Sequence, residues 1–167
     1  MPQLRARLNT LRLKDWDYKG KGLYFVTMLA AKRCPYFGEI VNEQMHMSPA
    51  GIIAREEWYK TPGLRPNMQL HLFEFIVMPD HIHALIGISA NSMNSDPGYQ
   101  KSANRFGPQS NNLASVIRGY KSAVTAQVRK QGIPFAWHRG YHDMIIRDTQ
   151  HLINVARYIE ENPQRYR

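Results

Sequence analysis

His81 and His83 stand one residue apart in the stretch FEFIVMPDHIHALIGI, residues 73–88, where Pro79 and Asp80 interrupt an otherwise apolar run. In a β-strand, residues i and i+2 share a face, so two imidazoles lie side by side, ~7 Å apart at Cα, while Ile82 points into a core. That spacing suits one divalent cation gripped by two ring nitrogens. Two histidines do not fill a coordination sphere, so a third ligand is required. Imidazoles alone favour zinc or another late transition metal. The plainer alternative is two histidines tolerated on a sheet face, since the chain has seven and the motif is short.

Two strands must hold this pair. MQLHLFEFIVM (68–78) and HIHALIGI (81–88) read as neighbours joined at Pro79-Asp80. LYFVTMLAA (23–31) is β-branched and aromatic and reads as another strand. PYFGEIVNEQMHM reads as a turn with one further short strand. In SPAGIIAREEWYK, Ser48 caps a helix and Pro49 suits its first turn, with Ile52, Ile53 and Trp58 sharing a face. Residues 113–132 form the clearest amphipathic helix: Leu113, Val116, Ile117, Tyr120, Val124 and Val128 mark one side, and Gly132 ends it. YHDMIIRD (141–148) reads as a strand, and TQHLINVARYIEENP as a helix capped by Thr149 and stopped at Asn162-Pro163. Between these elements, residues 89–112 are rich in Ser, Asn, Gly and Pro and read as a long, flexible polar loop. The order β, α, β, β, α, β predicts an α+β, ferredoxin-like split βαβ fold, an antiparallel sheet with helices on one face, plus an extra C-terminal helix.

The chain's 167 residues make one domain, and no apolar run approaches the ~20 residues of a membrane span. A single cysteine, Cys34, excludes an internal disulfide framework and makes a reducing cytoplasm the simplest location. The N-terminal MPQLRARLNTLRLK is basic but lacks the apolar core of a secretory signal. Twenty-two Lys and Arg against thirteen Asp and Glu give a net charge of +9, a surplus that favours a polyanionic partner, most simply nucleic acid. Arg5, Arg7, Arg12 and Lys14 near the N-terminus, and Arg118, Lys121, Arg129 and Lys130 on the 113–130 helix, are candidates to track phosphates. Trp16, Tyr18, Tyr59 and Trp137 are candidates to stack on bases, with a core role the alternative for Trp137.

VMPDHIHALI resembles the histidine–hydrophobe–histidine motif of the HUH single-tyrosine transposases, and within them the REP-associated tyrosine transposases, relatives of the IS200-like enzymes. FAWHRGYHDMIIRD is similar to the Trp-containing segment and strand that precede the family's last helix, and HLINVARYIEENP to its terminal helix. The resemblance runs from about Leu23 to Pro163 and makes residues 1–167 a single domain of that type. It implies that Tyr158, on the extra helix, is the nucleophile, and that Asn162 joins His81 and His83 as a metal ligand. Helical spacing agrees, since i and i+4 stack on one face. It further implies Mg²⁺ or Mn²⁺ as cofactor and single-stranded or hairpin DNA as partner. Members occur as monomers and as dimers with shared active sites, so a homodimer is open.

The implied chemistry is a metal-dependent single-stranded DNA endonuclease and strand transferase. Tyr158 would attack phosphorus to give a 5′-phosphotyrosine and release a 3′-hydroxyl, which conserves the bond for later rejoining. Such an enzyme acts in transposition or on repeat and hairpin DNA. Each residue also has a structural alternative. Tyr158 could be a core aromatic beside Ile153 and Val155, and Asn162 a helix stop. Tyr120 is a rival nucleophile, although it lies on an apolar stripe. Two other functions compete: a catalytically inactive nucleic-acid-binding module on the same fold, and a zinc hydrolase using His81, His83 and one of Asp80, His142 or Asp143.

Overall fold

The computed structural model describes residues 22–89 and 111–166. The polar loop at 89–112 and the N-terminal basic and aromatic candidates (Arg5, Arg7, Arg12, Lys14, Trp16 and Tyr18) therefore lie almost wholly outside the described residues. In chain order the elements are β1 (Gly22–Leu29), a short 3₁₀ turn (Ala31–Arg33), β2 (Gly38–Val41), β3 (Gln44–Met47), α1 (Pro49–Lys60), β4 (Gln69–Met78) and β5 (His81–Ser89). After the polar segment come α2 (Leu113–Lys130), β6 (His142–Ile145), α3 (Thr149–Glu160) and α4 (Asn162–Arg165).

The main sheet runs β4-β5-β1-β6, with every neighbour antiparallel. That is the strand order of the split βαβ fold expected from the element sequence. β2 and β3 form a separate two-stranded hairpin where the sequence suggested a single strand. Its two-residue turn, Asn42-Glu43, has φ 48° and 62°, the left-handed pair that hairpin twist demands. Glutamate at the second position hides a turn usually announced by glycine.

The caps are local. Ser48 Oγ accepts from the Gly51 N–H at 3.2 Å, with Pro49 in the first turn of α1. Gly51 lets α1 approach the hairpin closely, because a Cβ there would lie 2.2 Å from the Phe37 carbonyl oxygen. Asn112 and Ser115 form a reciprocal capping box on α2, and Gly132, at φ 67°, follows its end. The cap of α3 is Asp148, whose Oδ1 accepts from the His151 N–H at 2.7 Å, rather than Thr149.

Strand alternation divides the sheet into two faces. Tyr24, Val26 and Met28 of β1 and Ile82, Ala84, Ile86 and Ile88 of β5 join α1 and α2 in the main core. On α1, Ile53 and Trp58 are buried there, while Ile52 is exposed rather than sharing their face. Leu85 points the other way, into a smaller cluster with Val155 and Ile159 of α3, edged by Leu23, Phe25, Ile76 and Met144. The extra helix thus covers the sheet face opposite α1 and α2, and β5 is buried on both sides.

Candidate active site

His81 and His83 open β5 on the α3 side of the sheet, with Ile82 between them in the main core. Their ring centroids are 4.6 Å apart, the side-by-side placement that period-two alternation predicts. Both are buried.

Each ring is held at Nδ1. The Asp80 carboxylate lies 2.6 Å from His81 Nδ1, and because an ionised carboxylate only accepts, that nitrogen carries the hydrogen. His83 Nδ1 lies 2.9 Å from Thr27 Oγ1, its cross-strand neighbour on β1. His83 Nε2 is buried and has no hydrogen-bond partner. An orphaned polar atom inside a protein calls for an ion or a water. Burial above all, then the neighbouring His81 and Arg33, hold His83 well below its ordinary pKa, which favours the neutral ring. Two imidazoles anchored at Nδ1, one with an orphaned and neutral Nε2, fit a divalent cation.

Among the described residues, no group of three His, Cys, Asp or Glu side chains converges to hold a metal. A zinc site built from the histidine pair with Asp80, His142 or Asp143 is therefore not formed. Asp80 turns its carboxylate to the back of His81, and His142 faces Thr27 on β6, two strands from His83. Among the described residues, a third ligand to this pair would have to come from another donor type. Asn162 opens α4 and is 6 % exposed, so its carboxamide is buried at the end of the helix that covers the histidines.

Tyr158 is 39 % exposed and not a core aromatic. Its ring centroid lies 5.3 Å from that of His83, and it meets Phe25 edge-on at 6.1 Å. Phe25 in turn lies 5.1 Å from His83, so one β1 side chain supports both. Tyr120, the rival nucleophile, is 2 % exposed and donates its hydroxyl hydrogen to the Ala54 carbonyl at 2.9 Å. Burial, and secondarily Glu57, push its pKa well above the ordinary value, so it is a core residue.

Arg118, Lys121, Arg129 and Lys130 all lie on α2, across the sheet from the histidines. Arg118, Arg129 and Lys130 are exposed. Lys121 is half-buried and donates to the carbonyls of His138 at 2.8 Å and Gly140 at 2.7 Å. Arg118, Lys121 and Arg129, with Trp137 and Thr125, line an open groove of about 520 Å³, and Lys130 lies outside it. Trp137 packs against Phe37 and Phe135 and donates Nε1–H to the Lys121 carbonyl, which places it at the rim of the main core. Tyr59 is exposed and edges Phe75.

Sequence reasoning missed three contributors. Thr27 and Phe25 are ordinary strand residues until β1 pairs with β5 and sets them against His83. Arg33 places Nε 2.7 Å from the second oxygen of Asp80.

No protein-family model matches the sequence. An uncharacterized protein of Haemophilus influenzae is 32 % identical over 159 residues, spanning 92 % of this chain and 87 % of its own. A solved REP-associated tyrosine transposase bound to a REP hairpin superposes with a TM-score of 0.58 at 17 % identity, covering 90 % of this chain and 72 % of that one. The chain thus has the fold of this REP-associated tyrosine transposase. It belongs to the same family as the Haemophilus influenzae protein. Among the described residues, no helix is long and apolar enough to cross a membrane.

Proposed function

We propose that this protein nicks and rejoins single-stranded DNA, with Tyr158 as nucleophile, in transposition or on repeat and hairpin DNA. The observation that carries the reading is the half-exposed phenol of Tyr158 against a buried, neutral His83 whose Nε2 has no partner. A reactive group at the surface sits beside an incomplete ligand set, with α3 and β5 fixing both. The structural likeness to a transposase holding a REP hairpin supports DNA as the partner.

His81, His83 and Asn162 would hold a divalent ion, Mg²⁺ or Mn²⁺. Such an ion, when bound, supplies Lewis-acid charge to the non-bridging oxygens of the scissile phosphate. The chain's own contribution is placement. Phe25 and α3 hold the Tyr158 ring, and Thr27 and Asp80 hold the imidazoles. In the reaction, Tyr158 Oη forms a bond to phosphorus as the P–O3′ bond breaks. The phenol loses its proton, the departing 3′-oxygen gains one, and the 5′-phosphate stays on the tyrosine. A 3′-hydroxyl attacking the same phosphorus reverses the step and transfers the strand. Arg118, Lys121, Arg129 and Lys130 would engage flanking phosphates on the far side of the sheet.

The test is a labelled single-stranded oligonucleotide carrying a hairpin, incubated with the full chain and Mn²⁺ and resolved under denaturing conditions. A protein–DNA adduct is expected, absent with chelator and absent in Tyr158→Phe while that variant still binds the oligonucleotide. Binding without an adduct in the wild type would instead assign the chain as an inactive DNA-binding module.

A further inference from the structure

Asp80 is 4 % exposed, and a buried carboxylate is costly unless donors surround it. Three segments supply them. His81 Nδ1 meets Oδ1 at 2.6 Å, and Arg33 Nε meets Oδ2 at 2.7 Å. The third is Tyr166, just past α4, whose phenol interacts with the same carboxylate and whose ring lies 6.3 Å from that of His81. Arg33 gets there on unusual backbone: Lys32 and Arg33 both have left-handed φ, 53° and 55°, without being glycine. Strain of this kind persists only where the surroundings over-determine it. The guanidinium remains half exposed while one edge is committed to Asp80.

These contacts have a direction. A carboxylate on Nδ1 fixes the tautomer and ring orientation of a ligating histidine, leaving Nε2 for the ion. Tyr166 lies at the far end of the short helix that Asn162 begins. One carboxylate therefore joins the turn after β1, the start of β5 and the segment carrying the amide candidate.

We infer that Asp80 is a positioning residue, and that Arg33 and Tyr166 act through it to orient His81 and to seat the α4 segment beside the histidine pair. This rests on the metal-site reading above. It assigns roles to residues that touch neither the nucleophile nor the ion.

Mn²⁺ alone, titrated into the full chain without DNA and followed by the electron paramagnetic resonance of the free ion, tests it. Asp80→Ala is expected to weaken Mn²⁺ binding by about 10–100-fold, the usual loss when the outer partner of a ligating histidine is removed. Arg33→Gln and Tyr166→Phe should weaken it in the same direction by less. The visible absorption of Co²⁺-loaded protein should also shift in these variants and not in Ile117→Val, which perturbs only the main core. Should Asp80→Ala fail to fold, Tyr166→Phe decides. Unchanged Mn²⁺ affinity and an unchanged Co²⁺ spectrum in folded variants would overturn the inference alone. A wild type that binds no Mn²⁺ would overturn the inference together with the metal site beneath it.

Discussion

The two faces of one sheet are built for different ends. Under α1 and α2, Trp58, Tyr24, Leu113 and Ile117 are fully buried in an apolar layer, and the Tyr120 hydroxyl has found a carbonyl. Under α3 the apolar cluster is small, and the same strands present His81, His83 and Thr27 beside it. The histidines are buried as well, and His83 Nε2 is unpaired, as is the indole Nε1 of Trp58 in the main core; of these two nitrogens only the imidazole's can offer a lone pair to a cation. β5 belongs to both layers, alternating residue by residue. The contrast teaches that the fold's stability resides on one face and its candidate chemistry on the other, so substitutions should separate the two properties.

The largest separation is expected at Tyr158. Tyr158→Phe keeps the ring against His83 and Phe25 and removes only the nucleophilic oxygen. Strand cleavage should fall by on the order of 10⁴-fold or more, with thermal unfolding unchanged. Residual cleavage with an adduct still present would move the nucleophile elsewhere. The mirror-image experiment lies across the sheet. Trp58 is fully buried and stacks on Phe75 at 5.2 Å, so Trp58→Ala should cost about 3–5 kcal/mol in denaturant unfolding. Mn²⁺ affinity per folded molecule should not change. A proportionate loss of metal binding would show that the two faces are coupled.

A smaller effect of opposite sign is expected at His83. Its orphaned Nε2 is the kind of buried polar atom that costs about 1–3 kcal/mol. Replacing the pair with His83→Leu and Thr27→Val removes that atom and leaves no hydroxyl unpaired. The double variant should unfold with a free energy higher than wild type by about 1 kcal/mol while losing Mn²⁺ binding and cleavage entirely. A destabilised double variant would mean that the imidazole contributes to the core and not to a site.

How much of this was legible follows from the kind of interaction. The histidine pair, the opposite placement of Ile82 and the stripe on α2 rest on fixed periods of strand and helix, and a linear sequence carries periods. Tyr158 and Asn162 came from resemblance, because spacing alone favoured a core aromatic for the first and left a helix stop open for the second. What stayed hidden were contacts between distant segments and turns with unexpected residues. Glu43 holds a left-handed hairpin position without being glycine. Lys32 and Arg33 do the same, so nothing in AKRCP marks the turn that carries Arg33 to Asp80. Tyr166 follows a proline that reads as the end of structure, yet α4 continues beyond it.

The smallest expected effect tests whether the face remote from the histidines touches DNA at all. Lys121 lies 5.2 Å over the Trp137 ring with two carbonyl acceptors, and burial lowers its pKa to about 8. It is charged at pH 7 and neutral by pH 9. The unfolded chain, with an ordinary lysine near 10.4, binds more protons between those values, so this residue adds stability as pH rises through that window. DNA binding should run the opposite way, because phosphate prefers the ammonium. For a single-stranded oligonucleotide, each neutralised phosphate contributes about 0.7 to the slope of log Kobs against log salt. The wild-type slope should therefore shrink by about 0.7 between pH 7 and pH 9, while Lys121→Met shows the smaller slope at both values. If the two proteins share one pH-independent slope, the cations of α2 serve the scaffold, and the division of labour between the faces is complete.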